Sequence, residues 1–211
     1  MKYLKYHIGR KDLTSHIDAV HAHNPRADEY TGAIVKGVIK KINASGIIST
    51  ISRTEMDINR PRNETNAPAI DEFREAIKNI IFSKRIINTK DNSLTKQYLH
   101  LAIHGMRDDR ETDFEIGTLG GNSCSQDISD LFISRLSNLT KKIGINSIFP
   151  GDSSKSVHRT GEKESEYIGY GANFHTIQIE INRTWRKNKR EELIQFFSEI
   201  IIEFDKVFNE K

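Results

Sequence analysis

Apolar residues recur along this chain in two alternating rhythms. Short runs rich in Ile, Val, Leu and Ala are separated by longer stretches in which apolar positions return every three or four residues. The first rhythm predicts strands and the second amphipathic helices. Ser15–His23, SHIDAVHAH, reads as a strand that ends in two histidines, His21 and His23. A polar, turn-forming segment from Asn24 to Glu29 follows. Thr31 is the expected N-cap of a helix over Thr31–Asn43, with Ala33, Ile34, Val38, Ile39 and Ile42 on its apolar stripe. Gly46–Ser52 is a second strand, and Ile70, Phe73, Ile77, Ile80 and Ile81 predict a helix over about Ala69–Ile87. Tyr98–His104 is a third strand, ended by Gly105, and Asp113–Gly117 is a fourth. A glycine-rich turn leads to a helix over Asp127–Lys142, a strand at Gly144–Phe149, a strand at Thr176–Ile181 and a last helix over Arg190–Phe208.

Strands alternating with helices predict an α/β chain built on a mostly parallel mixed sheet flanked by helices. In such sheets a ligand binds at the carboxyl ends of the strands. His21, His23, Arg53, His104 and Glu180 all fall at those ends. The polar, glycine-dotted stretch from Pro150 to Asn173 is too long for an ordinary connection and predicts a functional loop or lid at about 150–175.

Size and charge narrow the picture. A chain of 211 residues suits a single domain, which buries about 70–75% of its unfolded surface. The 32 basic residues nearly balance 29 acidic ones, for a net charge of +3. The basic run Arg183–Arg190, RTWRKNKR, reads as the flank of a helix start, and no nucleic-acid partner is expected. Cys124 is the sole cysteine, which excludes an internal disulfide and suits a reducing, cytoplasmic compartment. The N-terminal MKYLKYHIGRKD has no apolar core of a signal peptide, no stretch approaches 18 apolar residues, and no membrane partner is expected.

The stretch Ile51–Asn63, ISRTEMDINRPRN, carries the first candidate chemistry. Arg53, Asn59 and Arg60 lie just past a strand end, where they can converge on one spot. The planar arginine fork suits a carboxylate, because it makes two parallel charge-assisted hydrogen bonds. Ion pairs with Glu55 and Asp57 are the structural alternative for these arginines. His21 or His23, Asp28 or Glu29, and His104 are candidates for one divalent metal, since zinc takes imidazole nitrogen and carboxylate oxygen. Glu180 is the lone charge in Ile177–Ile181, IQIEI, and a carboxylate on a buried strand is costly unless paired, coordinated or put to use.

Four short pieces, SR…DINRP at Ser52–Pro61, IHGMRD at Ile103–Asp108, DFEIGT at Asp113–Thr118 and QIEINR at Gln178–Arg183, occur in an order that resembles the N-formylglutamate amidohydrolase family. That family is a branch of the zinc-carboxypeptidase-like hydrolases, with a phosphorylase/hydrolase-like fold. The pieces are also similar to elements of aspartoacylase-like enzymes and of phage-type poly-γ-glutamate hydrolases. The resemblance implies one bound Zn2+, with His104 as the second histidine ligand and a first-strand histidine and nearby carboxylate completing the site. Here the chain departs from the family, with HAHNPRADEYTG where relatives have a compact turn. His21 fits the first ligand by its place at the strand end, and His23 has the better distance to Asp28. Asp28 is preferred to Glu29, because Thr31 follows it at the expected offset. Arg53, Asn59 and Arg60 would bind substrate carboxylates, and Glu180 would be the general base and acid.

The implied reaction is hydrolysis of an amide in a small acidic N-acyl amino acid or peptide. Such a reaction needs an activated water, a polarised carbonyl and a proton for the leaving amine. Two rivals stand beside it. Cys124 follows a glycine-rich turn and precedes a helix, where a dipole would favour a thiolate nucleophile. Alternatively, the chain is a non-catalytic carboxylate binder that has lost the metal.

Overall fold

The computed structural model describes residues 1–150 and 171–210. The expected lid lies almost wholly between those ranges and so outside the described residues. Seven strands form one mixed sheet: β1 (Leu4–His7), β2 (Ser15–Ala19), β3 (Ser45–Ser49), β4 (Tyr98–Met106), β5 (Phe114–Gly117), β6 (Ile143–Ile145) and β7 (Phe174–Asn182). Their order across the sheet is β1-β3-β2-β4-β7-β5-β6. The central strands β3, β2, β4 and β7 run parallel, β1 is antiparallel at one edge, and β5 is antiparallel to β7 with β6 parallel to β5 beyond it. Among the described residues, five α-helices flank it: α1 (Thr31–Ile42), α2 (Ala67–Lys84), α3 (Gln126–Leu136), α4 (Arg183–Asn188) and α5 (Arg190–Phe208). This is the α/β architecture expected from the alternating pattern.

The two faces of the sheet are built differently. On one, Ile17, Leu99, Leu101, Ile103, Ile177, Ile179 and Ile181 pack against α1, α3 and α5 in the larger apolar core. Gly37 lets α5 come close to α1, since a Cβ there would sit 2.2 Å from Ile194 Cδ1. The other face lies under α2, whose Ile70, Phe73, Ile77, Ile80 and Ile81 form a second core with Tyr98 and Phe174. Strand side chains alternate between faces. The positions between the isoleucines and leucines therefore fall together on the α2 side: His16 and Asp18 on β2, His100 and His104 on β4, Thr176, Gln178 and Glu180 on β7. All seven are buried. Sheets covered on both faces are usually apolar on both, so this buried polar stripe marks where the chain departs from packing alone.

Several boundaries move. β2 stops at Ala19, so His21 and His23 lie in the turn beyond it. Thr31 is the first helical residue of α1, whose N-cap is Tyr30 with a left-handed φ of 72°. The Thr31 hydroxyl donates to the Asp28 carbonyl at 2.7 Å, so it closes the preceding turn. α3 ends at Leu136, six residues before the expected Lys142. β4 runs on through Gly105 to Met106, because its ladder with β7 pairs Gly105 with Ile181 and Met106 with Asn182. β1 and α4 carry too few apolar positions for either rhythm and were not expected. No helix among the described residues is long and apolar enough to cross a membrane.

Candidate metal centre and its arginine-lined cavity

His21, Asp28 and His104 come together at the carboxyl ends of β2 and β4. One nitrogen or oxygen from each lies within 4.8 Å of the others, and all three residues are buried. Asp28 Oδ2 is 3.4 Å from His21 Nδ1 and 3.4 Å from His104 Nδ1. That spacing is long for a hydrogen bond. Two donors each about 2.1 Å from a tetrahedral ion would lie about 3.4 Å apart, so the donor set suits a divalent cation. His21 Nδ1 has no hydrogen-bond partner, while His21 Nε2 is held by Asp57 Oδ1 at 2.8 Å. A carboxylate on the far nitrogen is the usual support of a ligating imidazole.

Electrostatics follow from this clustering. Burial opposes ionisation of Asp28, but His104 and His21 outweigh it and hold the carboxyl well below its ordinary range. Burial likewise opposes charge on His21, and Asp28 and Asp57 more than offset it, so its pKa is raised. Asp57 is lowered to about 2, burial being outweighed by His21 and by the Asn59 backbone amide.

The chain between α1 and α2 brings its polar residues to the same place. Arg53 lies 3.3 Å from Asp28 Oδ1 through a terminal guanidinium nitrogen and 3.9 Å from Asp57 through Nε. Arg60 Nε is 3.4 Å from Asp57 Oδ2, with the rest of the side chain half exposed. The ion-pair alternative is thus partly realised, through Asp57 and not Glu55. Asn59 is buried with no partner for its Oδ1. Glu180 is buried beside His104, its register partner on β4. Gln178 Nε2 donates to Glu180 Oε1 at 3.0 Å.

Two of the sequence candidates lie elsewhere. His23 is exposed, with Nδ1 2.6 Å from the Asn24 carbonyl oxygen, and is outside the cluster. Glu29 is half exposed and pairs with Arg183 at 2.6 Å. The end of β2 at Ala19 explains the first: the chain turns before His23 can share the face of His21. Cys124 is fully buried in the larger core, away from the cluster, which removes the accessibility a nucleophile needs.

Sequence reasoning missed Arg186. It is 4% exposed, and its guanidinium donates to the carbonyls of Ile181, Met106 and Glu29. It thereby ties the ends of β7 and β4 to the loop that carries Asp28. Gly105 makes room for it, since a Cβ there would lie 2.5 Å from Arg186 Cζ. Burial lowers its pKa. Arg186 sat in a basic run, and only the pairing of β4 with β7 reveals what it joins. An open cavity of about 610 Å3 adjoins the cluster, where Asp28, Glu29 and Asp108 stand among Arg26, Arg53, Arg107, Arg183 and Arg186.

The fold is shared with solved structures of hydrolases. Among solved structures, N-formylglutamate amidohydrolase from Ralstonia eutropha JMP134 is similar with a TM-score of 0.70 at 13% identity, over 98% of each chain. A gene product of Agrobacterium tumefaciens is similar with a TM-score of 0.67 at 13% identity, over 96% of this chain and 94% of that one. A bacteriophage poly-γ-glutamate hydrolase is similar with a TM-score of 0.54 at 11% identity, over 97% and 91%. No family model and no curated protein matches the sequence.

Proposed function

We propose that this chain is a metal-dependent amidohydrolase that cleaves the amide bond of an acidic N-acyl amino acid of the N-formylglutamate kind. The observation that carries the reading is Asp28 Oδ2 standing 3.4 Å from Nδ1 of both His21 and His104, beside an arginine-lined cavity. His21, Asp28 and His104 are the proposed ligands, and Zn2+ suits two imidazoles and a carboxylate. A divalent ion held by these residues would serve as a Lewis acid, polarising the amide carbonyl and acidifying water. Asp57 fixes the His21 ring. Arg53, Asn59 and Arg60 hold the substrate carboxylates and so position the scissile amide. Glu180, oriented by Gln178, takes a proton from the attacking water and delivers it to the leaving nitrogen. The products are a carboxylic acid and a free amine. A cytoplasmic location suits the lone, buried Cys124.

A second reading, hydrolysis of γ-glutamyl peptides, is favoured by Arg26, Arg107 and Arg183 on the same cavity wall. With Glu29 and Asp108 they line a cavity larger than one small substrate fills. The test is metal content of native protein together with a panel of N-acyl amino acids and γ-glutamyl peptides. We expect one activity-linked divalent ion, release of amine from acidic substrates, loss of turnover with a chelator and near-normal turnover in Cys124→Ser. Protein that neither contains nor takes up metal and hydrolyses no member of the panel would make the chain a carboxylate binder.

A further inference from the structure

The three acceptors of Arg186 are all main-chain carbonyls, and each sits next to a residue of the candidate site. Ile181, which takes Nε–H at 2.9 Å, follows Glu180. Met106, which takes one terminal nitrogen at 3.1 Å, is two residues past His104 and ends β4. Glu29, which takes the other, follows Asp28. One buried guanidinium thus holds the backbone beside Glu180, His104 and Asp28, on three segments far apart in the chain. Gly105, between His104 and Met106, leaves the guanidinium room to lie against β4.

A buried cation is costly, and an apolar side chain would fill the same space at less cost. What Arg186 adds is direction, since its planar fork donates along fixed lines. Its own base is fixed too. Asn182 Oδ1 accepts from the Trp185 amide at 2.8 Å, Asp108 accepts from the Thr184 amide at 2.8 Å, and the Trp185 ring packs on Phe114 at 5.2 Å. Other bonds hold the Asp28 turn to its own neighbourhood: the Asp28 amide donates to the His21 carbonyl at 2.8 Å, and Thr31 closes it onto α1. Arg186 supplies the tie to β4 and β7. A site held by a shell of fixed bonds keeps its geometry before any ligand arrives.

We propose that Arg186 is a positioning residue, which sets Asp28 against His104 and Glu180 through three main-chain carbonyls and so preorganises the metal centre. The inference rests on the metal-dependent reading above.

The test uses the full chain, stripped of metal and titrated with Zn2+ against a competing chelator, with folding followed by circular dichroism. Folded Arg186→Met should bind Zn2+ about 10–100-fold more weakly than wild type. With saturating Co2+ in place of zinc, its visible absorption should differ from that of wild type, since the ligands no longer meet at the same geometry. At saturating zinc, kcat should fall about 10–100-fold with KM within a few-fold. Arg186→Lys keeps the charge on one compact ammonium, which cannot span three carbonyls, so it should not restore affinity or kcat. Gly105→Ala, whose Cβ displaces the guanidinium, should weaken Zn2+ in the same way and serves if the Arg186 variants do not fold. Ile201→Ala, in the larger core, should lower the melting temperature without moving zinc affinity.

Wild-type zinc affinity in folded Arg186→Met or Gly105→Ala overturns the proposal. Full rescue by Lys does so too, because charge alone would then suffice. A rise in KM alone would make Arg186 a substrate contact, and an equal loss of affinity in Ile201→Ala would reduce it to general packing; either overturns it. Wild-type protein that takes up no metal would overturn the metal-dependent reading itself, and this proposal with it.

Discussion

The two buried His-Asp-His groups of this molecule use the same residue types on the same two strands, yet they differ in what they can do. His21, Asp28 and His104 lie beyond or at the carboxyl ends of β2 and β4, next to an open cavity of about 610 Å3. His16, Asp18 and His100 lie a few residues earlier, covered by α2 and flanked by Phe73 and Phe174. In the open group the carboxylate comes from a loop, and arginines stand beside it. In the sealed group the carboxylate comes from the strand itself, and hydroxyls stand behind the rings. The same residue types therefore sit in two settings, and position along the strand decides which of them anything else can reach.

The largest expected break in this comparison is at Glu180, which belongs to the open end of the stripe. Glu180→Gln is nearly isosteric but cannot carry a proton, so kcat should fall about 10²–10⁴-fold while fold and metal content stay. Steady-state kinetics with metal analysis check this, and near-normal kcat would remove Glu180 from the reaction. Loss of the metal would make it a ligand instead.

Changes around the open group come next. Arg53→Ala and Arg60→Ala should each lower kcat/KM about ten- to a hundredfold on carboxylate-bearing substrates, the worth of a charge-assisted hydrogen bond. Equal losses on substrates without the carboxylate would mean that these arginines only pair with Asp57. Asp57→Asn should weaken metal affinity about 10–100-fold by releasing the His21 ring, as read by competition with a chelator. His23→Ala, on the exposed turn, should change neither affinity nor activity.

In the sealed group the expected effect is on stability. His100→Ala leaves Asp18 buried without its 2.7 Å partner, and breaking such a pair costs about 3–5 kcal/mol. His104→Ala should cost less, because Asp28 keeps His21 and Arg53. Denaturant unfolding of the two variants orders them, and the reverse order would remove the distinction between the groups.

A separate effect, on pH dependence, is expected at Lys84, which burial lowers to about 8 and which donates to the carbonyls of Gly9 and Arg10. Between pH 8 and the unfolded value of 10.5 the unfolded chain binds more protons than the folded one, so stability should rise with pH across that window. Lys84→Met should flatten the rise. A wild-type profile that falls there would mean that Lys84 keeps its charge when folded.

Much of this architecture is legible in the amino-acid order. Period-2 and period-3.6 patterns are local, so they mark six of the seven strands and most of the helices, and α5 has the expected bounds. The same alternation brings His104 and Glu180 to strand ends, because a polar residue between isoleucines must face the opposite side of the sheet. Local pattern does not carry lateral register. That His16 lies beside His100, and His104 beside Glu180, depends on β4 sitting between β2 and β7. Nor does it say where a strand stops: His21 and His23 have the same parity, and only the turn after Ala19 turns one inward and leaves the other in solvent. Arg186 shows the same limit, since its three carbonyl partners come from three segments that meet only in the folded chain. Sequence alone settled which residues could do chemistry, because side-chain type and periodicity are carried by neighbours along the chain; tertiary structure decided which of them meet, because sheet order and turns bring together residues far apart in it.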